Sequence, residues 1–221
     1  MQSSLDLFWR SLWPIVSGAL VASIPLAFAS MAIGLVIAVV IALMRLSGQT
    51  ALAGIARVYI SIIRGTPLLV QLFVVFYGLP SIGVKLDPWP SAIIAFSLNV
   101  GGYAAEVIRA AILSVPKGQW EAAHTIGMSR GLALRRIILP QAARVSVPPL
   151  SNTFISLVKD TSLASVILVV ELFRQAEQIA TVSNQFLLIY LEAALVYWVI
   201  CLILSFGQDA LEKRLDRHVA R

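Results

Sequence analysis

The chain has 221 residues, of which 59% are hydrophobic and only 13% are charged, and its mean hydropathy is +0.88. Soluble domains contain about a quarter charged residues and under half apolar residues, so this composition indicates a membrane protein. A disulfide-stabilised secreted domain is excluded because Cys201 is the only cysteine. The formal net charge of +6 would suit either nucleic-acid binding or the flanks of membrane helices, so the positions of the charges must decide.

Runs without charged residues predict an all-α integral membrane protein with five transmembrane helices in a single domain, residues 1–221. A span needs about 20 apolar residues. The predicted spans are 22–44, 60–80, 90–110, 145–168 and 183–207.

The first apolar run lies between Arg10 and Arg45, and we expect Pro14 and Pro25 to divide it into an interfacial segment and a spanning helix. A cleaved signal peptide is the minor interpretation, because the run contains small residues that resemble a cleavage site. The run continues unbroken to Met44, which favours an uncleaved first span.

The distribution of Lys and Arg predicts the orientation in the membrane. With five spans, 13 of the 17 basic residues fall on the side that holds the loops after the first and third spans and the C-terminal tail. Short cytoplasmic loops carry an excess of basic residues, so we expect the N-terminus outside and the C-terminus in the cytoplasm. This topology accounts for the positive charge, and no nucleic-acid partner is expected.

The longest polar segment, residues 114–144, connects the third and fourth predicted spans. Its pattern predicts two short helices: Pro116 suits the first turn of one, which Gly127 would end, and Leu132–Leu139 would form the other, stopping before Pro140. Two such amphipathic helices would either rest on lipid headgroups or provide a docking surface for a soluble partner.

The same segment resembles the EAA loop of ABC importer permeases, whose spaced motif it matches at every fixed position. The matching residues are Glu121, Ala122, Ala123, Gly127, Ile137, Leu139 and Pro140. Two further segments, Arg64–Leu69 and Lys159–Ala164, are similar to the polar amino acid branch of these permeases, which includes histidine, glutamine and cystine permeases. Within that branch, residues 77–83 and 142–146 look most like cystine permeases.

The resemblance implies a permease subunit of an ATP-driven amino acid importer in the bacterial cytoplasmic (inner) membrane. It would pair with a second permease subunit, identical or related, and would bind two ABC ATPase subunits through the seven motif residues. An extracytoplasmic amino acid-binding protein would deliver the solute. The sequence contains no G-x-x-x-x-G-K-[ST] phosphate loop, so we expect ATP and Mg²⁺ to be held by the ATPases and no cofactor, metal or catalytic site here.

Charged and polar residues inside predicted spans indicate a substrate pathway, since charges at membrane depth usually face a protein interior or cavity. One face of the third span carries Asn99, Tyr103, Glu106 and Arg109. The fourth span ends in Lys159-Asp160. A zwitterionic amino acid needs donors for its carboxylate and acceptors for its ammonium group. The predicted pathway residues are Asn99, Glu106, Arg109, Lys159 and Asp160, although Glu106 and Arg109 could instead pair structurally.

Two other functions stay open from the sequence. One is a self-sufficient secondary transporter or channel whose polar loop only rests on lipid, and the other is a membrane anchor without a transport role. An ATPase that co-purifies with the chain through Glu121 and Gly127 would favour the importer. Uptake driven by an ion gradient without ATP would favour the secondary transporter.

Overall fold

A computed structural model describes residues 4–216, and every regular element in that range is helical. The ten α-helices are α1 (Ser4–Gly18), α2 (Ile24–Leu46), α3 (Thr50–Gly65), α4 (Leu68–Phe73), α5 (Pro88–Ser114), α6 (Lys117–Thr125), α7 (Arg130–Ala133), α8 (Leu139–Asp160), α9 (Leu172–Ser183) and α10 (Phe186–Asp216). The last basic residues of the predicted cytoplasmic tail, Arg217 and Arg221, lie outside the described residues.

The N-terminal helix is much longer than predicted, because α1 and α2 join into one helix over Leu5–Leu46. The expectation that Pro14 and Pro25 divide this segment is wrong. A π-helical turn, Ala19–Ser23, directly precedes Pro25, and the Ile24 N–H bonds to the carbonyl of Ala19 five residues earlier. The wider turn accommodates a proline ring that would otherwise clash with the preceding turn of an α-helix.

Two other segments are bent. Helix α3 and the helical segment Leu68–Ile82 meet at 105°, and the break falls at Thr66 and Pro67, inside the predicted span 60–80. The long helix Arg130–Ile167 meets α9 at 52°. Three helices in the described part of the chain are therefore long and apolar enough to cross a membrane by themselves, and the number rises to five if each bent pair counts as one span.

The expectation that the second helix of segment 114–144 stops before Pro140 is also wrong. Helix α7 continues through the π-helical turn Leu134–Ile138 into α8, which extends to Asp160. The N–H of Leu139 bonds to the carbonyl of Leu134, so a π turn again ends two residues before a proline. A proline therefore does not end a helix when a wide turn precedes it.

The helices pack in two groups. Helix α2 lies along α5, and α3 and α8 pack on the same core, which is centred on Phe96 and Leu72. Helices α1, α9 and α10 form a second cluster around Ile15 and Ile189. Small residues allow close helix contact at Gly34, where an added Cβ would lie 2.6 Å from the side chain of Val100.

Candidate functional site

A polar cavity of about 460 Å³ lies where the break after α3 faces α5 and α8. Helix α5 contributes Asn99 and Tyr103, and the break contributes Thr66. The wall formed by α8 carries Asn152, Ser156 and Asp160, which recur every fourth residue and therefore share one helix face. Of the predicted pathway residues, the structure brings Asn99 and Asp160 together in this wall.

The cavity has a carboxylate in its wall and a cation beside it. Among the described residues that line the wall, Asp160 alone is formally charged, so it supplies a carboxylate acceptor. The Arg64 guanidinium carbon lies 5.4 Å from the centre of the Tyr103 ring, a distance at which the cation is attracted by the ring face. A cation therefore lies beside the cavity, while amides and hydroxyls fill the rest of its polar wall.

Gln71, which was not among the predicted residues, holds the cavity wall in place. Its Oε1 accepts a 3.1 Å hydrogen bond from Asn99, and its Nε2 donates to the carbonyls of Ile63 and Thr66 at 2.8 and 3.1 Å. The four-residue repeat of Asn152, Ser156 and Asp160 was a signal for the α8 wall. Nothing local in the sequence pointed to Gln71, because its partners lie across a helix break.

Glu106 and Arg109 lie on α5 beyond the cavity and are not among the residues that line it. The two side chains form a 2.8 Å ion pair, and Glu106 also faces Arg45 of α2 at 3.5 Å. The Glu106 carboxylate therefore pairs with two guanidinium groups. Direct contact of Glu106 or Arg109 with a solute stays a prediction.

Lys159 is exposed and also lies outside the cavity wall, although Asp160 next to it is part of that wall. Neighbouring helix residues point about 100° apart, so the two side chains face different surroundings. Contact of Lys159 with solute likewise stays a prediction.

The EAA-like motif spans a helical hairpin: its first three residues lie on α6, Gly127 lies in the turn, and the last three follow α7 in the π turn and the start of α8. Gly127 has φ +77°, its N–H bonds to the carbonyl of His124, and the N–H of Met128 bonds to that of Ala123. These two bonds define a Schellman motif, in which a glycine ends the helix in the left-handed conformation. The prediction that Gly127 ends this helix is confirmed, and Pro116 is its N-cap residue rather than part of its first turn.

The motif residues divide between an exposed tip and a packed base. Glu121, Ala122 and Gly127 are exposed, whereas Ala123 is buried. Ile137 and Leu139 are partly buried and pack against a cluster that includes Ile112 and Val115 at the end of α5. Pro140 is exposed. The hairpin is therefore fixed to a membrane helix at one end and presents polar and small residues at the other.

A cleft of about 1130 Å³ separates this hairpin from the turn that follows α2. Trp120, Glu121 and His124 lie on the hairpin side, and Ser47 and Gly48 lie on the other. Within the described range 4–216, no group of three or more His, Cys, Asp or Glu side chains is placed to hold a metal ion.

Known proteins match nearly the full length of the chain. The family model for a binding-protein-dependent transport system inner membrane component matches residues 34–217. The L-cystine transport system permease protein TcyB of Bacillus subtilis (strain 168) is 59% identical over 217 residues, which cover 98% of this chain and 93% of the relative. The glutamine transport system permease protein GlnP of Escherichia coli (strain K12) is 37% identical over 213 residues, covering 94% and 97%.

Solved structures agree with this relationship. A crystal structure of an amino acid ABC transporter with histidines superimposes with a TM-score of 0.90 and 34% identity, covering 97% of this chain and 99% of the other. An inward-facing form of the MetNI methionine ABC transporter has a TM-score of 0.71 at 19% identity and the same coverage, which shows the shared fold alone.

The resemblance to ABC importer permeases is thereby confirmed. The fold is that of an ABC permease, the location is the inner membrane, and the family works with ATPase and binding-protein partners. The chain belongs to the family of binding-protein-dependent transport system inner membrane components.

Proposed function

We propose that this chain is the membrane-spanning subunit of an ATP-driven importer of a polar amino acid, and that L-cystine is its substrate. The observation that carries the amino acid assignment is the polar cavity, in which Asp160 faces amide and hydroxyl groups across a space of about 460 Å³. The 59% identity to an L-cystine permease over nearly the whole chain supports the narrower choice.

The polar groups of the cavity wall can bind one α-ammonium group and one α-carboxylate group. Asp160 can accept from an α-ammonium group, since charge-assisted hydrogen bonds are about twice as strong as neutral ones. The side-chain amides of Asn99 and Asn152 can donate to an α-carboxylate, with Arg64 adding long-range attraction beside Tyr103. The other residues that line the wall are uncharged and leave room for a polar side chain without a net charge.

We propose five spans, counting each bent pair as one, within a single transmembrane domain over 1–221. The N-terminus then lies outside and the C-terminus in the cytoplasm. The bias of basic residues supports this orientation. It puts the α6–α7 hairpin on the cytoplasmic side, together with Arg45 at the end of α2.

Two copies of the permease, or this chain and a close relative, would form the membrane part, with two ATPase subunits docked on their hairpins. ATP and Mg²⁺ would be held by the ATPases, since this sequence has no phosphate-loop motif. Glu121 and Ala122 would contact the ATPase at the exposed tip of the hairpin. Ile137 and Leu139, which pack at its base, would transmit the movement to α5 and α8.

The substrate assignment is tested by reconstituting the permease with its ATPase and binding protein in proteoliposomes. We expect ATP-dependent uptake of radiolabelled L-cystine and at least a tenfold loss in Asp160→Asn, with Asp209→Asn, an exposed change on α10, as the control. Uptake of L-cystine without ATP would instead support the secondary transporter. Transport of L-glutamine or L-histidine in place of L-cystine would contradict the narrower assignment alone.

The docking assignment is tested by co-purification of a tagged ATPase with the permease. Glu121→Lys reverses an exposed charge at the hairpin tip and should reduce ATPase recovery several-fold. Asp87→Lys is the control. It makes the same acid-to-base change at an exposed residue before the N-terminus of α5, whereas the hairpin follows the C-terminus of α5. Equal recovery with both variants would contradict docking through the hairpin.

A further inference from the structure

Glu171 is a fully buried carboxylate that the proposed transport site does not use. It is the N-cap residue of α9, where its Oε1 accepts from the N–H of Arg174 at 2.7 Å and its Oε2 from the N–H of Phe173 at 2.8 Å. A helix cap needs only a short polar side chain on the surface. A buried glutamate therefore requires a further explanation.

The same carboxylate joins three helices. The Tyr197 hydroxyl of α10 donates to Glu171 Oε2 at 3.1 Å, and the Ser23 hydroxyl of the N-terminal helix donates to it at 3.2 Å. The Ser23 oxygen also accepts from the N–H of Leu172 at 3.3 Å. Ser23 belongs to the π turn before Pro25, so this irregular turn faces the start of α9.

The chain just before Glu171 is strained. Leu168 has φ 69°, a left-handed conformation that is disfavoured for a residue with a Cβ. Its N–H bonds to the carbonyl of Ser165, and the N–H of Val169 bonds to that of Ala164, which closes the 3₁₀ turn Thr161–Ile167. Strained backbone persists only where the surrounding structure holds it. The hydrogen bonds of Glu171 provide this restraint three residues later.

The restrained turn begins at the cavity. Asp160 precedes Thr161 directly, and Thr161 is fully buried. Its hydroxyl donates to the carbonyl of Val158 at 2.7 Å, and its side chain also lies beside the Tyr197 hydroxyl. The Tyr197 hydroxyl therefore bonds to Glu171 at one end of the segment from Thr161 to Glu171 and lies beside Thr161 at the other end, next to Asp160.

We infer that Tyr197 and Glu171 are positioning residues for solute recognition: they hold the Thr161–Ile167 turn so that Asp160 faces the cavity. This inference rests on the proposed amino acid site. A purely structural network would instead affect the stability of the protein without changing the affinity of the folded fraction for solute.

Tyr197→Phe tests the inference because it removes one hydroxyl and leaves the aromatic ring. Tyr190→Phe is the matched control, since Tyr190 lies on the same helix and its ring stacks on Phe173. Glu171→Asp is the second variant, because aspartate still caps α9 but is one methylene too short to keep its contacts with Tyr197 and Ser23.

The measurement is equilibrium binding of L-cystine, L-glutamine and L-histidine to the purified permease–ATPase complex, together with its melting temperature. For the amino acid that the wild type binds most tightly, Tyr197→Phe and Glu171→Asp should each raise the Kd at least threefold. Tyr190→Phe should leave it unchanged.

Two sets of outcomes separate this inference from the proposed function. If the wild type binds none of the three amino acids, or if Asp160→Asn binds as well as the wild type, the proposed site is wrong and the inference falls with it. If Asp160→Asn loses binding while Tyr197→Phe and Glu171→Asp keep the Kd of the control, the inference alone is overturned, even if their melting temperatures fall.

Discussion

The side-chain amide of Asn99 donates a 3.1 Å hydrogen bond to the Oε1 of Gln71, so a residue of the cavity wall depends on a residue next to the break between α3 and α4. The Nε2 of Gln71 donates to the carbonyls of Ile63 and Thr66. These carbonyls have no helical N–H partner because the chain bends by 105° there. One side chain therefore stabilises the break and orients a candidate solute donor.

Gln71→Ala should weaken both the bend and the cavity. The carbonyl of buried Ile63 loses a donor, and an unsatisfied buried polar group costs about 1–3 kcal/mol, whereas the bond to exposed Thr66 contributes less. We expect a lower melting temperature and severalfold weaker amino acid binding. Gln49→Ala is the control, because Gln49 is exposed and its side chain caps no helix. If Gln71→Ala and Gln49→Ala have the same melting temperature and the same amino acid affinity, the role of Gln71 is contradicted.

Arg45 of α2 and Glu106 and Arg109 of α5 form a charge cluster. We expect the loss of Glu106 and the loss of Arg109 to reduce the stability of the protein by different amounts. Glu106 faces both Arg109 and Arg45, whereas Arg109 can be lost with Glu106 still paired. Glu106→Met leaves two cations near each other with no acid between them, so it should destabilise the protein by about 1–3 kcal/mol more than Arg109→Met.

The measurement is thermal unfolding of the purified permease in detergent, followed by tryptophan fluorescence. Arg174→Met is the control, since its pair with Glu177 at 2.8 Å is partly exposed and such pairs contribute about 0–1 kcal/mol. Greater destabilisation by Arg109→Met than by Glu106→Met would show that Glu106 does not serve both arginines.

The sequence predicted the helical class, the apolar segments and the hairpin because these depend on local properties: hydropathy, charge-free length and a glycine at a helix end. Pro140 illustrates the limit. The rule that proline ends a helix failed there because the π turn Leu134–Ile138 absorbs the ring, and nothing in the residues marks a π turn.

The candidate site was predictable only in part for a related reason. Helical spacing selected Asn99, and a charge inside a predicted span selected Asp160, and the fold brings these two residues together. The same spacing grouped Glu106 and Arg109 with Asn99, but these two residues do not line the cavity, and Glu106 pairs with Arg45 of α2 instead. Contacts across a break or between distant helices, such as Gln71 with Asn99 and Tyr197 with Glu171, are set by tertiary packing.

Gly127→Ala should impair coupling without changing the surface of the hairpin. A Cβ at Gly127 would meet no atom within 4 Å, so the penalty comes only from φ +77°, which costs about 1–2 kcal/mol for a residue with a Cβ. We expect reduced ATP-dependent uptake, with a milder loss in Gly127→Asn because asparagine tolerates this conformation. Gly131→Ala adds a methyl group to open space in α7 and should not reduce uptake. Similar losses in Gly127→Ala and Gly131→Ala would contradict a conformational role.

Gly102→Ala should separate two helices that line the break and the cavity. A Cβ at Gly102 of α5 would lie 2.5 Å from Cγ2 and 2.9 Å from Cβ of Ile63 in α3. Overpacking of this kind costs about 1–3 kcal/mol, which exceeds the gain of about 1 kcal/mol from replacing a helical glycine by alanine. Gly54→Ala is the control, since its Cβ would meet nothing within 4 Å and α3 should gain stability. We therefore expect Gly102→Ala to lower the melting temperature and Gly54→Ala to raise it. A higher melting temperature in Gly102→Ala would show that α3 and α5 are not in close contact at this position.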